Sequence, residues 1–400
     1  MIDRPLYIEQ IRPFYNTPII KVLKGIRRAG KSTLLLLIQQ DLRSKGVHEE
    51  QFFTLNMESA EGTQLTDSEA LLSKLESFFS TLEENQRGYV FLDEIQLLPD
   101  WEKVVNACNT SYNADFYITG SNAKLLSGDL ATLLSGRYVS FQIHPFSFKE
   151  FSDLYQSHGK SHSDLFMDYL IIGGMPSLKF LNLEYHPSML SLQDIFNTVM
   201  LKDIVSYGQV RDVDLLERIV MFMLSNIGNT FSASSISKYF KSENRSVTTD
   251  TVLSYLRLCE DAFFLSRVRR RELPGKKLLK VNDKYYVADH GFREAIIGGN
   301  QAAIQAVLEN IVYWELIRRG FKVTIGKIGD KEIDFVATKR NDTQYFQVTY
   351  LLADERTIER EFGVFSGISD NFGKHVLSMD QLNFSQNGIK HINIIDWLLE

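Results

Sequence analysis

Gly25, Gly30, Lys31 and Ser32 stand in GIRRAGKST, residues 25–33, with the spacing G-x-x-x-x-G-K-S. Glycines at the first and sixth positions let the backbone curl so that its N–H groups face an anion. A lysine directly after the second glycine can reach the β- and γ-phosphates of a nucleotide, and the next hydroxyl can ligate Mg²⁺. Asp93 and Glu94 are neighbours in RGYVFLDEIQ, residues 87–96. Asp93 can hold the Mg²⁺ shell, and Glu94 can orient or deprotonate an attacking water. ADFYITGSNAKLLS, residues 114–127, carries Thr119, Ser121 and Asn122, polar groups suited to sensing a γ-phosphate or that water. Arg137, in LLSGRY, suits either of two roles: stabilising transition-state charge in a neighbour's site, or a structural salt bridge.

These residues need elements to hold them. PIIKVL, ahead of Gly25, reads as a strand, and STLLLLIQQDL reads as a helix whose positive end starts near Lys31. Tyr89 to Leu92 is a short apolar run suited to a parallel strand buried on both faces. ADFYIT supplies a third strand ending at the polar cluster. The expected fold class is α/β with a P-loop core.

The series GIRRAGKST, VFLDEIQ, ITGSNAKLLS, LSGRY and HPFSFKEF resembles an AAA+ superfamily ATPase. It is similar in particular to the prokaryotic ATP-binding proteins that join an AAA domain to a C-terminal domain of unknown function with a restriction-endonuclease-like fold. The resemblance covers nearly the whole chain. It implies that Gly25, Arg28, Ala29, Gly30, Lys31, Ser32 and Thr33 lie in the phosphate loop. It makes Asp93 and Glu94 the Walker B pair, Ser121 or Asn122 the sensor, and Arg137 the arginine of an L-x-G-R motif. It also implies ATP and Mg²⁺ as ligands and a homo-oligomeric ring or arc.

Past Phe151 the pattern turns helical. DLFMDYLIIGGMPSLKFL, 164–181, breaks at Gly173, Gly174 and Pro176, and GGMP recurs in the resembling family; this stretch reads as a helical lid. LQDIFNTVMLKDIV, 192–205, keeps helical spacing, with Lys202 and Asp203 as a helix-surface pair or, alternatively, functional groups. FSASSISKYF reads as a helix capped by Ser232 or Ser234, and VTTDTVLSYLRLCEDAFFL as a second helix with Val252, Tyr255, Leu256 and Leu258 on its apolar face. SRVRRREL, PGKK and LLKVNDKYYVAD read as strand, turn and strand. Two helices and a basic hairpin make a winged helix-turn-helix. Residues 230–286 hold twelve Lys and Arg against six Asp and Glu, although the whole chain is at −6. A basic segment in an acidic chain points to an anionic partner. Arg267, Arg269, Arg270, Arg271, Lys276, Lys277 and Lys280 on the hairpin suit phosphate contacts, and Arg245, Ser246, Thr248 and Thr249 suit a groove. A winged helix used for protein contact is the alternative.

The last third reads as a helix, residues 301–320, and then strands FKVTIGKI, EIDFVATK and QYFQVTY. The helix stripe is Leu308, Ile311, Val312, Leu316 and Ile317. Helix and three strands is the core order of a PD-(D/E)-x-K nuclease-like fold. There, carboxylates ligate Mg²⁺ and a lysine steadies the attacking hydroxide. Glu309 and Asp334 fit two of the carboxylates, with Glu332 on the same strand face as Asp334. Gln347 and Thr349 stand where the third carboxylate and the lysine belong. A neutral amide and a hydroxyl supply neither charge, so QYFQVTY reads as a catalytically degenerate strand, leaving Glu309 and Asp334 as weak Mg²⁺ ligands.

No run of 18 apolar residues suggests a membrane span, and MIDRPLYIEQIRPFY lacks the layout of a signal peptide. Two cysteines, Cys108 and Cys259, suit a reducing cytoplasm and form no zinc motif. The expected organisation is an AAA+ core at 1–163, a helical lid at 164–215, a winged helix at 216–290 and an inactive nuclease-like α/β domain at 291–400. The expected activity is Mg²⁺-dependent ATP hydrolysis by a homo-oligomer that binds DNA. A nucleotide-gated protein-interaction switch without DNA, and an ATP-gated nuclease, are the alternatives.

Overall fold

A computed structural model of the chain describes residues 2–122, 136–243, 245–273 and 283–400, and the backbone of 277–278. The chain divides into two compact units, Met1–His144 with Asp261–Phe263, and Pro145–Glu260 with Phe264–Glu400.

The first unit is built on a parallel sheet. Its strands are β1 (Ile20–Lys24), β2 (Phe52–Asn56), β3 (Gly88–Asp93), β4 (Ala114–Gly120) and β5 (Tyr138–Gln142). They lie in the order β2-β3-β4-β1-β5, each pair parallel. β3 and β4 are buried at every position, as expected for apolar runs covered on both faces. Helices Ser68–Ser80 and Trp101–Ser111 pack on one core through Leu71, Leu75, Trp101 and Val105 against Val90, Leu92 and Ile118. Each fully buried aliphatic side chain there stabilises the unit by about 1.5–3 kcal/mol. Asp67 caps the first of these helices by accepting from Ala70 N at 2.9 Å. Because all five strands run the same way, their carboxyl ends share one edge of the sheet. In open α/β sheets that edge is where ligands bind.

The second unit begins with helix Phe148–Tyr155, and helix His162–Ile172 follows and stops at Gly173, where φ is 81°. The break has a partner. The Asp289 carboxylate accepts Gly174 N at 2.7 Å and Gly291 N at 2.8 Å, and all three residues are buried. GGMP is therefore a docking corner for the chain near residue 289. Helix Tyr185–Thr198 continues as a π-helical stretch, Val199–Ser206. Lys202 is exposed there and Asp203 is 1% exposed. They are not the surface pair that their adjacency suggested, because neighbours in a helix point in different directions.

Helix Ala233–Ser242 is capped by Ser232, with Ser235 closing a capping box. Helix Thr249–Asp261 buries Val252, Leu256 and Cys259. Two sheets follow. β6 (Thr230–Phe231), β7 (Leu265–Val268) and β10 (Asp283–Val287) form a three-stranded antiparallel sheet. β8 (Arg270–Glu272), β9 (Lys277–Leu278), β11 (Lys322–Ile328), β12 (Lys331–Lys339), β13 (Asp342–Val348), β14 (Gly373–Ser378) and β15 (Lys390–Asn393) form the other, in the order β15-β14-β13-β12-β11-β8-β9.

The expected single strand SRVRRREL is thus divided. β7 pairs with β10, and β8 leaves to pair in parallel with β11, Arg270 opposite Ile325. Ile325 N donates to Arg269 O at 3.0 Å, and Leu273 N donates to Lys327 O at 3.0 Å, extending that seam. The hairpin expected to project as a wing is built into the edge of the C-terminal sheet.

Helix Ile304–Arg318 differs from the amphipathic helix its stripe suggested. From Val307 to Leu316 every residue is buried, Glu309, Asn310 and Glu315 included. Asn310 accepts from Val287 N at 2.9 Å and donates to Val287 O at 3.0 Å, and Trp314 Nε1 donates to the same carbonyl at 2.6 Å. The polar positions of this helix dock on β10, so a second face is covered. No helix among the described residues is long and apolar enough to cross a membrane.

Candidate active site

The carboxyl ends of β1, β3 and β4 bring Lys31, Asp93, Glu94 and Thr119 together. After β1 the chain turns through Arg28 at φ 64° and Gly30 at φ 94°, and helix Lys31–Ser44 starts from Gly30. Gly25 has no room for a side chain: a Cβ there would sit 2.2 Å from Ile143 O. The loop is braced from the N-terminus, a contact sequence reading missed. Arg4 is 2% exposed and donates to Ala29 O at 3.1 Å and to His144 O at 2.9 Å. Lys31 folds back over the loop, with Nζ 3.1 Å from Gly25 O, 3.3 Å from Ile26 O and 3.3 Å from Glu94 Oε1.

Asp93 ends β3 and is held on three sides. Thr119 Oγ1 donates to its Oδ1 at 2.5 Å, Asn56 Nδ2 donates to its Oδ2 at 2.9 Å, and the Ser32 hydroxyl also bonds to it. Asn56 lies opposite Asp93 in the β2–β3 register, a pairing that only parallel alignment reveals. Glu94 takes a left-handed backbone, φ 52°. Its N–H donates to Thr119 Oγ1 at 2.8 Å, and its Oε2 accepts from Gln96 Nε2 at 2.5 Å. Gln96 Nε2 also lies 3.4 Å from Ser121 Oγ, while Gln96 Oε1 is buried without a partner. Ser121 and Asn122 are buried; residues 123–127 of the same motif lie outside the described residues.

The two adjacent carboxyls are driven apart electrostatically. Burial pushes Asp93 above the usual aspartate range despite its bonds to Ser32 and Thr119. Burial would raise Glu94 too, but the Lys31 ammonium and the Gln96 amide outweigh it and hold Glu94 below its usual value. Opposite shifts in neighbouring acids are the pattern that divides acid–base roles. The donors fit a nucleotide with Mg²⁺. Loop N–H groups and a lysine suit phosphates, and a serine hydroxyl bonded to a buried aspartate suits a hard cation that takes oxygen ligands.

Arg137 is not part of this cluster. It precedes β5, and its carbonyl accepts from Ile20 N at 2.8 Å, at the amino end of β1. Its side chain is exposed and donates to Asn106 Oδ1 at 2.8 Å and Thr110 Oγ1 at 3.3 Å. Both are neutral, so these bonds are not the salt bridge considered for it. A strand of five residues, as β1 is, spans about 17 Å. Arg137 thus stands at the opposite edge of the sheet from Lys31.

Several arginines of the basic segment are paired. Arg267 pairs with Asp283 at 2.6 Å, Arg270 pairs with Glu332 at 3.1 Å, and Arg245 pairs with Asp214 and Asp212. Arg269, Ser246, Thr248 and Thr249 are exposed. The side chains of Lys276, Lys277 and Lys280 lie outside the described residues.

In the tail, Glu309, Glu332 and Asp334 do converge, and around a lysine that sequence reading did not foresee. Lys284 Nζ, from β10, lies 3.3 Å from Glu309 Oε2, 3.0 Å from Glu332 Oε1 and 3.6 Å from Asp334 Oδ1. Gln347 Oε1 accepts from Asp334 N at 3.3 Å, and Thr349 is buried. Thr349 stands where the nuclease pattern would place a lysine, and an ammonium arrives from another strand. The weak Mg²⁺ position expected between Glu309 and Asp334 is therefore taken by Lys284. Among the described residues, no group of three or more His, Cys, Asp or Glu is set to hold a metal ion.

Residues 17–152 match the AAA domain family, and residues 163–303 match a domain of unknown function, DUF8612. The second match falls ahead of most of the expected nuclease-like tail. The Walker-type ATPase of Pyrococcus abyssi superposes with a TM-score of 0.48 at 14% identity, over 74% of this chain and 95% of that one. An uncharacterised Methanocaldococcus jannaschii protein is 24% identical over 391 residues, 94% of this chain and 85% of that protein. An uncharacterised Haemophilus influenzae protein is 37% identical over 403 residues, 100% of this chain and 99% of that protein. The chain belongs to the same family as the Haemophilus influenzae protein, with an AAA domain at residues 17–152.

Proposed function

We propose that this chain is a Mg²⁺-dependent AAA+ ATPase that works as a homo-oligomer and couples hydrolysis to DNA binding. The observation that carries the reading is the convergence of Lys31, Ser32, Asp93 and Glu94 at one edge of a parallel sheet. The loop from Gly25 to Thr33 binds the phosphates through its N–H groups, and Lys31 neutralises the β- and γ-oxygens. Ser32 and Asp93 would hold Mg²⁺, which would supply charge neutralisation at the phosphates. Glu94, kept in place by Gln96 once Lys31 turns to the phosphates, accepts the proton of the attacking water. Thr119 ties Asp93 and Glu94 to one hydroxyl and sets their spacing. Ser121, with Asn122 beside it, reads the state of the γ-phosphate. Arg137 acts on a neighbour's nucleotide in the oligomer, because its own lies across the sheet.

Helices Ala233–Ser242 and Thr249–Asp261 face the DNA, and residues 291–400 act as a nuclease-like domain that holds it without cutting. Exposed Arg269 and the start of helix Thr249–Asp261 support a DNA-facing surface. A second reading, a nucleotide-gated protein switch without DNA, is favoured by the pairing of Arg245, Arg267 and Arg270 with internal carboxylates. One experiment separates the two. ATP turnover by the purified protein is measured with and without DNA, beside Lys31→Ala and Glu94→Gln. Turnover that needs both residues and rises with DNA supports the first reading; turnover that needs them and ignores DNA supports the second.

A further inference from the structure

The cluster around Lys284 is built like a cation site with the cation already covalently present. Three carboxylates reach it from two elements, Glu309 from helix Ile304–Arg318, and Glu332 and Asp334 from alternate positions of β12. Lys284 is 4% exposed and comes from a different sheet. Each carboxylate turns one oxygen toward Lys284 and gives the other to a protein donor. Glu309 Oε1 accepts from Gln305 at 3.4 Å, Glu332 Oε2 pairs with Arg270 at 3.1 Å, and Asp334 Oδ2 accepts from Val348 N at 2.9 Å. Three inward oxygens converge on one centre at 3.0–3.6 Å, ammonium distances, and a hard divalent ion in that place would draw them in to about 2.0–2.6 Å. A lysine that assists such an ion would stand beside the ligands, whereas Lys284 stands among them, within 3.6 Å of all three.

Charge supports the same reading. Three carboxylates in so small a buried volume repel one another unless a cation or protons intervene. The Lys284 ammonium lies 3.3 Å from Glu309 Oε2, 3.0 Å from Glu332 Oε1 and 3.6 Å from Asp334 Oδ1, where such a cation would stand.

We propose that the Lys284 ammonium is the resident cation of this cluster, standing in the position a divalent ion would occupy, and that removing it converts the cluster into a divalent-cation site. The tail is then a metal-independent scaffold, closed to Mg²⁺ by its own side chain. The inference rests on the cluster alone and does not depend on the ATPase reading.

The probe is Mn²⁺ without nucleotide, followed by the loss of the free-ion signal in electron paramagnetic resonance. The full chain carries Asp93→Asn throughout, which removes the carboxylate placed to hold Mg²⁺ beside the phosphate loop. This parent should take up no Mn²⁺ at the cluster. Lys284→Ala and the more shape-conserving Lys284→Gln should each gain one Mn²⁺ per chain, at least about tenfold tighter than the parent. Lys284→Arg should gain none, and adding Asp334→Asn to Lys284→Ala should abolish the gain. Melting gives a second readout: Mn²⁺ should raise the midpoint of the Ala and Gln variants and leave the parent unmoved. Three outcomes overturn the proposal. They are Mn²⁺ uptake by the parent that Asp334→Asn removes, folded Ala and Gln variants that bind nothing, or unfolded variants that Mn²⁺ does not rescue.

Discussion

Lys31 Nζ lies 3.3 Å from Glu94 Oε1, and both side chains are buried. Without nucleotide, the group suited to phosphate and the group suited to water hold each other. A phosphate must draw Lys31 away from Glu94, which also releases the carboxylate toward water. Glu94→Gln should therefore bind nucleotide more tightly, by up to about tenfold, or 1.4 kcal/mol. It should turn over about 10²–10⁴-fold more slowly. Fluorescent-nucleotide titration and phosphate release check the two halves. Equal turnover by Glu94→Gln and wild type would remove the water-activating role from Glu94.

The position of Arg137 makes a prediction about mixing. Its own Lys31 lies at the other edge of the sheet, so any catalytic role acts across subunits. Arg137→Ala and Lys31→Ala should each lose activity, Arg137→Ala by about 10³-fold or more for a charge-stabilising arginine. Mixed in equal amounts they should recover part of the wild-type rate. Native mass spectrometry verifies that mixed oligomers form, and no recovery in such oligomers would leave Arg137 as a brace for Asn106 and Thr110.

Asp289 makes the GGMP corner. Asp289→Ala strands two buried N–H groups, those of Gly174 and Gly291, and should cost about 2–4 kcal/mol in urea unfolding. Asp289→Asn keeps one acceptor oxygen and should cost less. Burial pushes the Asp289 carboxyl above the usual aspartate range. Its proton-linked stability is then full below the unfolded value, near pH 4, and is lost as pH rises through the higher folded value. The advantage of wild type over Asp289→Asn should shrink as pH rises.

Neighbouring arginines of the hairpin should behave differently. Arg269 is exposed, and its replacement by alanine should weaken DNA binding across sequences and lower the salt slope by about one unit. Arg270 pairs with Glu332 at the rim of the Lys284 cluster. Arg270→Ala should instead cost about 1–3 kcal/mol of stability through the charge left behind. Fluorescence anisotropy against salt and chemical denaturation distinguish them, and an unchanged DNA affinity for Arg269→Ala would favour the protein-switch reading.

The sequence by itself determined the local parts. The G-x-x-x-x-G-K-S run, the apolar stretches that become β3 and β4, and a serine cap at Ser232 or Ser234 depend on neighbours within a few residues. Short-range sterics and hydrogen bonding decide such features, so spacing is enough to read them. What only the tertiary structure decided are pairings between distant segments. Asn56 meets Asp93 through strand register, Arg4 braces Ala29, and Arg137 lies away from Lys31 because β5 aligns with β1 in parallel. The hairpin divides between two sheets because β11 offers an open edge to Arg270–Glu272. Lys284, 25 residues from Glu309, becomes the centre of the carboxylate cluster because β10 packs on the buried helix through Asn310 and Trp314. Periodicity reports which face of an element is apolar, not which element covers it. The charge that closes the tail's carboxylate cluster therefore came from a strand assigned on sequence to a different domain.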